Sequence, residues 1–169
     1  MKYRSVVGAA LVMNVGQACY ASGYGVGASF NGNENTIYLP INFGASWRVE
    51  PYVLYGRRSS DNAGALVGSS TTIDVGVGLF NSWKISSQVQ VYGGARVAHH
   101  SYDSSSYDST GFGIAPTLGG EYFLIEHVSV AAEASASAWR LKNDYDGESL
   151  DSTDKTVNTI TQVVLRFIF

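Results

Sequence analysis

The chain has a single cysteine, Cys19, and three prolines among 169 residues. One thiol cannot make an intramolecular disulfide, so the fold must be held by its hydrogen-bonded framework or by its surroundings. No stretch approaches about 18 uninterrupted apolar residues, so any insertion into a membrane must use strands rather than a helix. Basic residues are also scarce, with eleven Lys and Arg against fourteen Asp and Glu and a net charge of −3. Without a basic cluster, that balance argues against nucleic acid and against a basic patch adhering to anionic phosphates.

What is present begins with an organised amino terminus. Lys2 and Arg4 form a positive region, Val6 to Val15 a short apolar stretch, and Ala18-Cys19-Tyr20-Ala21 offers small residues for cleavage. The apolar stretch, at about 10 residues, is too short for a membrane anchor. It is read as a signal peptide over residues 1–21, cut after Ala21 or, alternatively, after Ala18. Lipidation of Cys19 is not expected, because Gly16 occupies the position where a lipoprotein signal wants an aliphatic residue. The remaining chain, 22–169, is long enough for one domain. It carries no cysteine, and it keeps nine of the eleven basic residues against fourteen acids, for a net −5.

Beyond the leader, alternation with period 2 recurs between turn signals, as strands with two different faces require. Tyr24 to Phe30 sets Tyr24, Val26, Ala28 and Phe30 against glycine and serine. Thr36 to Trp47 sets Ile37, Leu39, Ile41 and Phe43 against Tyr38, Pro40 and Asn42. Val49 to Arg57, Thr71 to Asn81, Gln88 to Ala98, Gly111 to Leu124, Val128 to Leu141 and the carboxyl-terminal TVNTITQVVLRFIF complete eight segments. Links two–three, four–five and six–seven are tight. Arg58–Ser70, Ser101–Thr110 and Asn143–Lys155 read as long polar loops, and the first link is about five residues. In an up-and-down barrel alternate links share an end, so all the tight links fall together. Trp47, Trp83, Tyr122 and Phe169 would gather at the short-turn end, with Trp139 and Phe112 towards the loops.

Alternation alone does not say which face meets lipid, and an exported soluble barrel of lipocalin type also alternates. Against that reading stand the terminal Phe169, the lack of cysteine pairs and of a carboxyl-terminal helix, and the failure of Gly44-Ala45-Ser46-Trp47 to match the Gly-x-Trp spacing of those proteins. The strand ending on Phe169, and the hairpin passage GGEYFLIEHVSVAAEASASAW (119–139), resemble the small bacterial outer-membrane β-barrel family of OmpA/OmpX type. The resemblance covers 22–169 and implies an all-β, eight-stranded antiparallel transmembrane barrel. It also implies location in the outer membrane with both termini periplasmic, and outer-membrane lipid and lipopolysaccharide as surroundings. Val163, Leu165, Phe167 and Phe169 would form the terminal signal read by the barrel-assembly machinery.

With the apolar faces towards lipid, Arg48, Glu50, Asp74, Arg96, Glu121, Glu133 and Arg166 converge inside. Such charges are costly unless paired. Folding about Lys84-Ile85 places Asp74 near Arg96, and folding about the last loop places Glu133 near Arg166. The main expectation is a closed interior, since eight strands leave only room for side chains, with a structural or surface-interaction role. The alternative is a narrow pore for ions or small solutes, with inward Gly25, Gly27, Gly76, Gly78 and Gly94 leaving space for water and Tyr38, Tyr52, Tyr92, Phe80 and Phe123 able to fill it. A remote alternative is a lipid A-modifying hydrolase, because His99-His100-Ser101 matches the His-x-Ser positions of barrels that deacylate lipid A. A nucleophilic Ser needs an oriented base beside it, and the family's surrounding Asn-containing sequence is missing. Asp144-x-Asp146-Gly147 lacks the rest of a calcium-loop spacing. No catalytic, metal or cofactor site is therefore assigned. The expected state is a monomer, with a surface partner contacted through the Ser/Tyr/Asp-rich loops.

Overall fold

The computed structural model describes residues 23–31, 34–44, 46–62, 65–104, 107–145 and 148–169. The expected leader, both cleavage positions and Cys19 lie outside the described residues. Nine β segments follow in order: β1 (Gly25–Asn31), β2 (Glu34–Tyr38), β3 (Ile41–Phe43), β4 (Trp47–Asn62), β5 (Ala65–Lys84), β6 (Val89–Ser104), β7 (Tyr107–Ile125), β8 (Val128–Tyr145) and β9 (Glu148–Ile168).

β2 and β3 are two halves of one barrel strand. Pro40, between them, has no N–H to give to a ladder. The run still keeps its place, because Gly25 N–H donates to the Pro40 carbonyl at 2.8 Å and Leu39 N–H to the Pro51 carbonyl at 2.9 Å. Neighbouring strands pair antiparallel throughout. β1 also pairs with β9, and β2 with β4, so the sheet closes as an eight-stranded up-and-down barrel.

The period-2 reading of the faces holds strand by strand. On β5, Val75 is 55 % exposed while Asp74 beside it is 8 % exposed. Ile73, Val77 and Leu79 share the outer face, and Phe80 points inward and is fully buried. The terminal strand behaves alike: Val163, Leu165, Phe167 and Phe169 face outward, while Val164 and Arg166 are buried inside. The outside of this tube is an apolar belt and the inside is polar, the reverse of a water-soluble protein.

The polar segments depart from the sequence expectation. Arg58–Ser70, Ser101–Thr110 and Asn143–Lys155, read above as loops, are mostly paired strand. Pairing runs on through Asn62↔Ala65, through Asp103↔Asp108 and through Tyr145↔Glu148. A ladder needs only backbone donors and acceptors. Where neither face meets lipid, no apolar alternation is required, so sequence patterning goes silent although the strand continues. The β1–β2 hairpin is much shorter and ends at Asn31↔Glu34. At the opposite end the links are tight as expected: Ile85 N–H returns to the Val89 carbonyl at 2.8 Å, and two residues separate β7 from β8.

Candidate functional site: a charge-filled lumen

Six of the seven predicted interior charges meet at the waist of the barrel. Arg48 and Glu50 come from β4, Arg96 from β6, Glu121 from β7, Glu133 from β8 and Arg166 from β9, and all six are at most 5 % exposed. Inward parity on five strands is what brings them together.

Arg166 is the hub. Its Nε donates to Glu50 Oε2 at 3.0 Å and its Nη2 to Glu133 Oε1 at 2.7 Å, with Nη1 3.6 Å from Glu121 Oε1. Arg96 ties the same two acids from the other side, donating to Glu50 Oε1 at 2.7 Å and to Glu133 Oε2 at 2.8 Å. Arg48 donates to Glu121 Oε2 at 2.9 Å and lies 3.7 Å from Glu50. Three guanidinium groups thus face three carboxylates. Charge is balanced where solvation is poorest, which is the condition under which buried ions persist.

Neutral inward side chains, to which the sequence reading gave no hydrogen-bonding role, complete the acids' coordination. Gln90 Nε2 and Ser129 Oγ donate to Glu121, at 2.6 and 2.5 Å. Tyr92 OH and Gln162 Nε2 donate to Glu133, at 2.6 and 2.7 Å. Their shared signal was inward parity next to a charged row. Rings finish the plug. The Arg48 guanidinium lies 4.5 Å from the Tyr92 ring centre and that of Arg96 4.8 Å from the Phe80 ring, distances at which a cation over an aromatic face is attractive.

Two of the inward glycines, Gly76 and Gly78, have a different use from the water space the pore reading gave them. A Cβ on Gly78 would overlap the Phe80 ring, and one on Gly76 would sit 2.6 Å from the Tyr52 ring. These glycines are seats for aromatic rings, so they help to fill the lumen.

The seventh charge, Asp74, is not paired with Arg96. It faces His100 in register and meets its Nδ1 at 2.6 Å, with the Trp139 ring 5.4 Å from that imidazole. Arg96 lies opposite Gly78 instead. The physical reason is the turn: the pairing is centred on Ser87 rather than on Lys84-Ile85, which moves the partner of Asp74 from the neighbourhood of Arg96 on to His100. The Glu133–Arg166 contact forms although the two are not opposite, because Glu133 pairs with Gln162 and the long Arg166 side chain reaches diagonally.

His99 and Ser101, the ends of the His-x-Ser positions, share the outer face of β6, and among the described residues neither has a hydrogen bond to the other or to a carboxylate. His99 faces outward with its ring 4.9 Å from Phe112. The carboxylate-held imidazole is that of His100, whose strand position points it inward, away from the face that carries Ser101. Among the described residues no group of three or more His, Cys, Asp or Glu is arranged to hold a metal ion. Asp146 and Gly147 lie outside the described residues.

No protein-family model matches the chain, and no curated protein matches it. Among solved structures, the fold is similar to that of Neisserial surface protein A, with a TM-score of 0.59 at 13 % identity over 88 % of this chain and 94 % of that one. It is also similar to a major outer membrane protein from Thermus thermophilus, with a TM-score of 0.54 at 11 % identity over 89 % of this chain and 100 % of that one. The chain has the eight-stranded β-barrel fold seen in small bacterial outer-membrane proteins.

Proposed function

We propose that the protein is an integral outer-membrane barrel with a structural or surface-interaction role and a closed lumen. The observation that carries this reading is the waist, where balanced Arg and Glu groups and packed rings occupy the interior beneath an outer surface that is apolar all round. Such a belt is soluble only in lipid. The tight links lie at the end that holds Tyr24 and Phe169, which suits periplasmic placement of that end. The tall hairpins would then stand outside the cell, where they are placed to meet a surface partner. Lipid and lipopolysaccharide are the expected neighbours of the belt, and the barrel works as a monomer.

Recording from the purified protein in planar bilayers tests the closed lumen. Absence of discrete conductance steps is the expected result, and steady single-channel steps would replace this reading with a narrow pore.

The carboxyl-terminal strand supports a second part of the reading. Phe169 N–H donates to the Tyr24 carbonyl at 2.7 Å and its ring stands 6.0 Å from that of Tyr24, so the last residue fastens β9 to the strand that closes the barrel. Together with the outward row Val163, Leu165 and Phe167, it fits the terminal signal for the assembly machinery. Deleting Phe169 should lower the folded fraction recovered from outer membranes, as read by heat-modifiable gel mobility. Unchanged assembly would remove this role.

A further inference from the structure

One sector of the apolar belt is unlike the rest. On β8 the outward positions Ala132, Ala134, Ala136 and Ala138 are all alanine, flanked by Leu118 and Ile114 on β7 and by Val163, Thr161, Thr159 and Val157 on β9. Leu118 on β7 is 71 % exposed and Val163 on β9 is 61 % exposed, and they wall this shallow trough on either side. At its inner end the trough opens into a groove of about 860 Å³ whose floor is Gly120, Ala132 and Ala134.

At its outer end the trough stops at Arg140, which pairs in register with Lys155 on β9. Lys142 stands on the same face of β8, one outward position further on. Two like charges directly opposite on one face destabilise a sheet by themselves. Among the described residues, neither Arg140 nor Lys155 has an ion pair with a carboxylate. Among the described side chains, the nearest acidic row on this outer face, Asp103↔Asp108↔Asp144, begins four residues further out along β8. That is about 13 Å at strand rise, beyond the reach of screened attraction in physiological salt.

We propose that this face binds a phosphate-bearing acylated lipid of the outer leaflet, with its headgroup phosphate between Arg140 and Lys155 and one acyl chain in the alanine trough below. The two parts fit one molecule. From Ala132 to Arg140 the strand covers about 26 Å, which a tilt of about 40° turns into about 20 Å of depth, enough for the hydrocarbon of one leaflet. An anion between the two cations removes their repulsion, and a chain in the trough restores contacts that alanine leaves unmade. A second barrel seated in the same trough would bring two copies of this basic pair together, which disfavours a dimer as the occupant. The inference rests on the outer-membrane reading above.

The test uses the refolded barrel in phosphatidylcholine bilayers holding a minor fraction of diphosphoryl lipid A, with retained lipid counted by native mass spectrometry after transfer to detergent. The wild-type protein should retain lipid A in preference to phosphatidylcholine. The Arg140→Ala/Lys155→Ala variant should lose about 25-fold in that preference, about fivefold for each basic group removed from the headgroup level. Ala134→Leu/Ala136→Leu should weaken retention by filling the trough, and Arg140→Lys should keep most of it. Heat-modifiable mobility verifies that each variant is folded.

Equal retention by the double-charge variant would overturn the proposal. Complete displacement of the lipid by sodium pyrophosphate would overturn it as well, because the site would then be one for free phosphate. A trough-dependent dimer in the same spectra would do so by giving the face to a second copy. A barrel that inserts without lipid preference defeats this inference alone, whereas a barrel that does not enter bilayers defeats the outer-membrane reading too.

Discussion

The waist and the outer hairpins are built from the same strands and obey opposite rules. At the waist each inward side chain has fixed partners: Arg166 alone touches Glu50, Glu121, Glu133 and Tyr92. In the hairpins, Asp103, Asp108 and Asp144 stand directly opposite one another on an exposed face, an arrangement that water tolerates and a buried site would not. Specific side-chain pairing therefore determines the first region, and the backbone ladder determines the second. Substitution should be felt strongly in one and weakly in the other.

The sharpest break of that contrast is Arg166→Ala. It leaves Glu50 and Glu133, both buried, each short of a guanidinium, and the expected loss is about 3–5 kcal/mol of stability. Urea unfolding of the barrel in lipid vesicles measures it, and a loss below about 1 kcal/mol would show a waist that water already screens.

Next in size is Gly78→Ala. The new Cβ overlaps the Phe80 ring, and overpacking of this kind costs about 1–3 kcal/mol. Comparing Gly78→Ala alone with Gly78→Ala in a Phe80→Leu background separates the steric clash from any intrinsic effect of the glycine. The second variant should recover part of the loss.

The smallest effect belongs to the hairpins. Asp108→Asn should change stability by no more than about 0.5 kcal/mol, and in the stabilising direction, because it removes the middle of three like charges. A large destabilisation would mean that the hairpin row depends on specific side-chain partners just as the waist does.

How much of this was legible in the chain follows the same division. Ile73 to Phe80 alternate so regularly that their faces could be read without coordinates, and the convergence of Arg48, Glu50, Arg96, Glu121, Glu133 and Arg166 followed from parity alone. Register was harder. The partner of Asp74 depends on where the bend between Trp83 and Val89 is centred, and Ile85-Ser86-Ser87-Gln88 carries no glycine or proline to mark it. The neutral donors Gln90, Tyr92, Ser129 and Gln162 were visible as inward residues, but their acceptors depended on the registers of β6–β7, β7–β8 and β8–β9. The strand character of Ser101 to Ser104 had no signature, since a ladder in water selects no side chain.

The fastening of β1 to β9 has a consequence for how the barrel forms. Every other seam joins neighbours along the chain, while this one joins Gly25 to Ile168 and runs for only five paired positions, to Ser29↔Val164. The hairpins can each zip from their own turn, but this closure must bring together the two ends of the domain, the slow, non-local kind of contact. It is also short. Folding is thus expected to finish at β1–β9 and unfolding to begin there, so that amide exchange in lipid should start along Gly25–Ser29 and leave the long β8–β9 ladder until last.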